Sequence, residues 1–241
     1  MKLDVVAFAA HPDDVELSIG GTIAKFTKAG YKVGIIDLTQ GELGTRGSVE
    51  IRKKEAEKAS EILGIELREN LSIPDGKVKF SEEYLKLIVI KIRKYQPKII
   101  FAPHFHDRHP DHIGAAELVK NAMFFSGTPK YETEVNGKSQ KAFRPNHLFY
   151  FMQTYEFDPT FINDVSETFE IKMEAVRAYS SQFYNPKSNE PETLISSRGF
   201  IEYLEARSKF YGFQIRKNYG EPLYSEERIE FNLNNLLNKK G

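Results

Sequence analysis

Val5-Val6-Ala7-Phe8-Ala9-Ala10-His11-Pro12-Asp13-Asp14 is the stretch from which fold and chemistry can both be read. Six apolar residues in a row read as a strand covered on both faces, which is the pattern of a parallel sheet. The run stops at an imidazole and two carboxylates. Downstream, Ile99-Ile100-Phe101-Ala102-Pro103 repeats the apolar run, and the loop after it leads to His109-Pro110-Asp111-His112. Two strand ends therefore carry three His and three Asp between them.

Helical patterns separate these runs. Leu17 to Ala29 reads as a helix stopped by Gly30, and Lys32 to Leu38 as the second strand. Ser48 caps a charged helix that Gly64 ends, and Leu71-Ser72-Ile73 is a weak third strand. Ser81 caps a helix to Tyr95, with Pro97 at its exit, before the fourth strand at Ile99. Pro110 suits the first turn of a helix running to Phe125.

Strands alternating with helices predict an α/β, Rossmann-like fold: a mostly parallel sheet with helices on both faces. In a doubly wound sheet the order 3-2-1-4 makes strands one and four neighbours, and ligands bind outside their carboxyl ends. That topology predicts that the two His-Pro motifs meet. Ser126 to Pro145 is polar and turn-rich, an excursion or an arm toward another subunit. His147 to Gln153 resembles a strand, and Phe169 to Gln182 and Gly199 to Tyr211 have helical spacing. Nothing in the pattern splits the chain, so residues 1–241 are expected to form one domain.

Composition narrows the functions. Lys plus Arg and Asp plus Glu both number 34, so no global field favours nucleic acid or an anionic membrane. The absence of Cys removes thiolate ligands and a cysteine nucleophile, leaving His and carboxylate to hold any metal. No apolar run approaches the roughly 20 residues of a membrane span, and no signal peptide is visible, so a cytoplasmic location is expected.

Catalytic zinc keeps three protein ligands and an open position. His11, Asp14 and His112 supply such a set, and Asp13 is then free to take a proton from water. His109, protonated, would stand across the substrate carbonyl and give a proton to the leaving amine. Asp111 would orient its ring or support a ligand from behind. Zinc suits the nitrogen–oxygen donors, and ferrous iron does too.

Ala10-His11-Pro12-Asp13-Asp14-Val15-Glu16 with His109-Pro110-Asp111-His112 resembles the LmbE/PIG-L family of zinc-dependent N-acetylglucosamine deacetylases. Gly41-Glu42-Leu43-Gly44-Thr45-Arg46-Gly47 and Phe105-His106-Asp107-Arg108 look like its bacillithiol-pathway branch, which deacetylates N-acetylglucosaminyl-malate. The resemblance implies His11, Asp14 and His112 as ligands, Asp13 as base, and His109 with Asp111 as the electrophilic pair. It also implies an amino-sugar conjugate as substrate and a homo-oligomer. Arg52 matches a substrate-binding arginine of such enzymes, a planar fork suited to a carboxylate.

Other residues have two readings each. Glu42 and Arg46 either line the pocket or pair with each other. Asp75, in Pro74-Asp75-Gly76, is a natural turn residue that also stands where it can touch a sugar hydroxyl. Gly20-Gly21 lacks a full phosphate-binding fingerprint and reads as close helix–sheet packing. A deacetylase or amidase of another N-acyl amino-sugar conjugate fits the same pattern. So, less well, do a non-haem iron enzyme and a non-catalytic metal- or sugar-binding protein, because neither uses a spare base at Asp13.

Overall fold

The computed structural model describes residues 1–229. Four strands, β1 (Val5–Ala9), β2 (Val33–Asp37), β3 (Leu67–Asn70) and β4 (Ile99–Pro103), alternate with four helices. These are α1 (Asp14–Lys28), α2 (Val49–Leu63), α3 (Glu82–Tyr95) and α4 (Pro110–Ser126). A small hairpin, β5 (Glu134–Val135) and β6 (Lys138–Ser139), comes next. The chain continues through β7 (His147–Phe151), β8 (Phe161–Asp164), α5 (Phe169–Ala178), α6 (Phe200–Gln214) and β9 (Gly220–Tyr224).

The seven-stranded sheet has the order β3-β2-β1-β4-β7-β9-β8. β1 lies parallel to both β2 and β4, with Val5 opposite Val33 and Ile99. The 3-2-1-4 order read from the sequence is therefore the order observed. β7 extends the parallel part, whereas β9 and β8 add antiparallel at the far edge.

Side chains alternate faces along a strand, so β1 feeds two cores. Val6, Phe8 and Ala10 pack with residues of α3 and α4, among them Leu85, Ile88 and Leu118. Val5, Ala7 and Ala9 pack with α1, α2 and α5, among them Ile19, Ala59 and Val176. Ser48 and Ser81 cap α2 and α3, their hydroxyls accepting the amides of Ile51 and Tyr84, and Gly64 ends α2 at φ 66°.

Three expectations need correction. α1 starts at Asp14 rather than Leu17. The third strand lies at Leu67–Asn70, not Leu71–Ile73. It is a half-exposed edge strand, so it lacks a continuous apolar run. Ile73, just beyond it, is buried and donates its amide to Leu38 O. α5 stops at Ala178 because Glu55 captures the chain just beyond it, its carboxylate accepting from Ser181 N (2.7 Å) and Ser181 Oγ (2.8 Å).

The 126–145 excursion is fastened to its own chain. Buried Arg93 on α3 donates to the carbonyls of Phe125, Ser126, Thr128 and Tyr131 and to Thr133 Oγ1. It departs from the end of α4 remote from His112, about 21 Å along the helix axis. Residues Gly20-Gly21 pack closely, as the sequence suggests: a Cβ on Gly21 would lie 2.8 Å from Val165 Cβ. The α1 amides there are taken by a protein carboxylate, Glu221, which accepts from Gly21 N (3.0 Å) and Thr22 N (2.7 Å).

Candidate metal and hydrolase site

The parallel pairing of β1 with β4 brings their carboxyl ends side by side. The loop after β1 presents His11, Asp13 and Asp14; the loop after β4 and the first turn of α4 present His109, Asp111 and His112. Ring centroids of His11 lie 4.7 Å from His109 and 5.4 Å from His112. Each of the three imidazoles can place a nitrogen within 4.8 Å of one on both others. Asp14 sits between two of them, with Oδ1 3.3 Å from His112 Nε2 and Oδ2 3.6 Å from His11 Nδ1.

Both of these imidazoles are backed by carboxylates. His11 Nε2 lies 3.1 Å from Asp75 Oδ1 and 3.5 Å from Asp111 Oδ2, and His112 Nδ1 lies 2.8 Å from Asp107 Oδ1. An ionised carboxylate only accepts, so the backed nitrogens carry the protons. In the neutral rings, His11 Nδ1 and His112 Nε2 are then lone pairs facing Asp14. Two imidazole lone pairs and one carboxylate, with carboxylates behind the rings, form a donor set that fits zinc or ferrous iron.

The charge balance agrees with this reading. Burial opposes charge on His112, but Asp14 and Asp107 outweigh it and push the imidazole up to about 9. Burial likewise opposes charge on His11, and Asp111, Asp14 and Asp75 still raise it well above its ordinary value. Asp14 is held well below the carboxylate range by the same histidines despite its burial. Such a cluster, anionic at its centre, exchanges ring protons for a cation.

Asp13 faces a different partner. It has φ 110°, a backbone conformation uncommon for any residue with a Cβ, and its side chain makes no helix-capping bond. Its carboxylate accepts from Arg52 Nη2 at 2.9 Å. Burial raises Asp13 to about 7 even though Arg52 pulls it down. A carboxyl poised there is matched to proton transfer near neutral pH.

A cavity of ≈ 720 Å³ opens over the cluster. His11, Asp13, Asp14, His109 and His112 floor it, and Leu17, Ile195, Phe200, Tyr203 and Leu204 form an apolar wall. Gln153, in the loop after β7, reaches in from the side, Nε2 lying 2.6 Å from Asp14 Oδ1.

Several of the sequence-derived assignments are displaced by this geometry. Arg52 lines the cavity but is pinned, donating also to Pro12 O (3.0 Å) and Gly41 O (3.2 Å), so its fork already holds Asp13 rather than standing free for a ligand. Arg46 is buried and donates to the carbonyls of Ser181, Phe183 and Pro191, clasping the 181–191 loop. Glu42 accepts from Asp75 N (2.8 Å). Glu42 and Arg46 neither line the cavity nor pair with each other. Asp75 does line it, and is committed to His11 and to Leu43 N (2.9 Å).

Asp111 does not orient His109. Its oxygens accept from Gly76 N (2.7 Å) and Val78 N (3.2 Å) and face His11, while the His109 ring accepts Asp111's own amide at Nδ1 (3.2 Å). Nor is His109 favoured as an imidazolium. Burial and the nearby His11 and His112 hold it below its ordinary value, and the Asp111 amide donating to Nδ1 puts the proton of the neutral ring on Nε2.

Sequence reasoning passes over Asp107, Gln153 and Arg108. Asp107 lies inside a motif of the second cluster and Gln153 ends a strand-like run, but their partners become visible only once the loops after β4 and β7 are side by side. Arg108 is exposed at the cavity edge, with no hydrogen bond or ion pair among the described residues.

Comparison with known proteins decides the family. The model of the PIG-L family, described as GlcNAc-PI de-N-acetylase, matches residues 6–123. Diacetylchitobiose deacetylase of Thermococcus kodakarensis is 34% identical over 229 residues, covering 90% of this chain and 80% of that protein. The chain belongs to the PIG-L/LmbE family of deacetylases. A probable N-acetyl-α-D-glucosaminyl L-malate deacetylase of Bacillus anthracis is 30% identical over 188 residues, 72% of this chain and 78% of that protein. A solved structure from Thermus thermophilus superimposes with a TM-score of 0.86 at 34% identity, covering 96% of this chain and 98% of that one. The PIG-L family match spans the stretch from β1 into α4, the part of the chain that carries all six His and Asp of the two motifs.

Proposed function

We propose that this PIG-L family deacetylase is a metal-dependent hydrolase that removes the N-acetyl group of an N-acetylglucosaminide, with N-acetylglucosaminyl-malate as its substrate. The observation that carries this reading is the convergence of His11, Asp14 and His112 beside an Asp13 that Arg52 holds out of the cluster. His11, Asp14 and His112 would hold the cation, zinc or ferrous iron. When bound, such a cation supplies Lewis acidity to an amide carbonyl and to water.

The chain's own residues supply the rest. Asp13 takes a proton from the attacking water, and Arg52, itself fixed by the carbonyls of Pro12 and Gly41, keeps the Asp13 carboxylate in position through one bond. Neutral His109 offers Nε2–H to the carbonyl oxygen as negative charge builds there, the role of an oxyanion donor. The proton held by Asp13 then passes to the departing amine, so acetate and a free amino sugar leave. The apolar wall excludes water from one side of the cavity, which strengthens these interactions.

The malate conjugate is supported by three points. The ≈ 720 Å³ cavity lies in the size range of pockets that bury a drug-sized ligand. Arg108 stands at its edge as a guanidinium free to take a carboxylate bidentately. The Bacillus anthracis relative is named for that substrate. The test is acetate release from N-acetylglucosaminyl-malate and from free N-acetylglucosamine, with and without chelator. We expect chelator-sensitive release, restored by zinc or ferrous iron and favouring the conjugate. Arg108→Ala should raise KM for the conjugate roughly tenfold and leave free N-acetylglucosamine unaffected. Metal-replete protein that releases no acetate from any N-acetylglucosaminide would refute the reading.

A further inference from the structure

Asp107 is buried, at 5% exposure, in the loop between β4 and α4. Its carboxylate gathers partners from three places. Oδ1 accepts from His109 N at 3.1 Å and lies 2.8 Å from His112 Nδ1; Oδ2 accepts from Thr154 N at 2.9 Å and, more weakly, from Tyr155 N at 3.5 Å. His109 belongs to the loop after β4, His112 to the first turn of α4, and Thr154 to the loop after β7 that also carries Gln153.

Every one of these partners is a donor, which makes the side chain's chemistry exacting. A carboxylate has two accepting oxygens and no proton at neutral pH, so it satisfies them all. An asparagine has one accepting oxygen, and its NH2 would be set against an N–H whichever way it turned. The bond to His112 has a further consequence. A proton fixed on Nδ1 leaves Nε2 of the neutral ring as a lone pair, and Nε2 is the nitrogen beside Asp14.

We propose that Asp107 is a positioning residue that fixes the tautomer and aim of His112, so that the cation affinity of the site depends on it. The inference rests on the reading of His11, Asp14 and His112 as cation ligands. Asp107 is not among the residues that line the cavity. Its effect passes through His112, and its two loop contacts keep that ring's neighbours in register.

The test is zinc affinity, read by competition with a chromophoric chelator, for the full chain and for Asp107→Asn, His112→Ala and the double variant. We expect one zinc per wild-type chain and a 10- to 100-fold weaker affinity in Asp107→Asn. At saturating zinc, KM for N-acetylglucosaminyl-malate should stay within twofold of wild type. In the His112→Ala background, Asp107→Asn should cost no further affinity, because the two act on one bond. Should Asp107→Asn fail to fold, Asp107→Glu makes the same test, since its added methylene displaces the acceptor while keeping its charge. Unchanged zinc affinity in a folded variant, or a loss that adds fully to that of His112→Ala, would overturn the role of Asp107 alone. A wild-type chain that takes up no zinc or ferrous iron would overturn the functional reading and this inference together.

Discussion

Residues 5–126 and residues 147–224 enter the same sheet by opposite routes. The first stretch builds parallel strands joined by helices, and its chemistry sits where two of those strands end. The second adds one parallel strand, β7, then β9 and β8 by antiparallel pairing, and secures itself to α1 through buried polar contacts. Glu221 accepts from Gly21 N and Thr22 N, and pairs with fully buried Lys172 at 2.7 Å. Lys172 donates in turn to Ser18 O (3.0 Å), and Arg207 on α6 donates to Leu17 O (3.0 Å) and Gln153 O (2.7 Å). These contacts cluster where α1 bends, at Ile19, whose φ of −130° and ψ of 22° depart from helical values. The first stretch thus supplies the groups proposed to react. The second holds the helix that begins at Asp14 and builds the apolar wall over it.

This division predicts which property each substitution changes. The largest effect belongs to the first stretch: Asp13→Asn should lower kcat by about 10³- to 10⁴-fold. Thermal stability should be little altered, as steady-state kinetics and a melting curve on one preparation will show. Glu221→Ala should do the reverse. Leaving Lys172 buried without its partner costs about 3–5 kcal/mol, which is roughly a 10 °C fall in Tm for a chain of this size. The kcat of the folded protein at low temperature should stay near wild type. If Glu221→Ala instead abolished turnover in a fully folded sample, the division between the two stretches would fail.

Arg52→Ala sharpens the comparison within the first stretch. Because Arg52 holds Asp13, kcat should fall about 10- to 100-fold with KM nearly constant. A free substrate-binding arginine would show the opposite pattern. The smallest effect lies away from both the site and the clamp, at Glu69 on β3, which binds Lys91 (2.7 Å), Lys94 (3.0 Å) and Tyr95. Burial would raise this carboxyl, but those partners hold it at about 2, below its free value of 4.5. A depressed carboxyl stabilises the fold above its free value and loses that contribution as pH falls from there through about 2. The stability difference between wild type and Glu69→Gln, about 0.5 kcal/mol at pH 7 and read from melting curves, should therefore narrow between pH 5 and pH 3. A difference that did not change with pH would show that this pair network contributes nothing.

Much of this is legible in the residues. The buried runs at Val5 and Ile99, the caps at Ser48 and Ser81 and the stop at Gly64 are local signals, and the 3-2-1-4 order comes from alternation together with the common doubly wound topology. That order is enough to bring His11 and His112 together. The edge strands are harder to see. β3 reads Leu67-Arg68-Glu69-Asn70 because one side has no neighbour, and β9 contains Pro222, a residue that weakens any strand assignment. The polar partnerships are hardest. A charged residue in a loop advertises its chemistry but not its partner. Arg52 therefore reads as a ligand contact in the sequence, and Glu42 and Arg46 as pocket lining or as each other's partner, yet in the fold these three meet backbone carbonyls, Asp13 and an amide. Asp107 stays hidden for the same reason.

The proposed chemistry depends most on a single cation held between the ends of β1 and β4. Anomalous diffraction from crystals of the full chain grown with zinc tests this directly. The prediction is one strong peak per chain within bonding distance of His11 Nδ1, an Asp14 oxygen and His112 Nε2, with Asp13 uncoordinated and still paired to Arg52. A peak on the other face of His11, among Asp75 and Asp111, or no peak in the cavity at all, would contradict it.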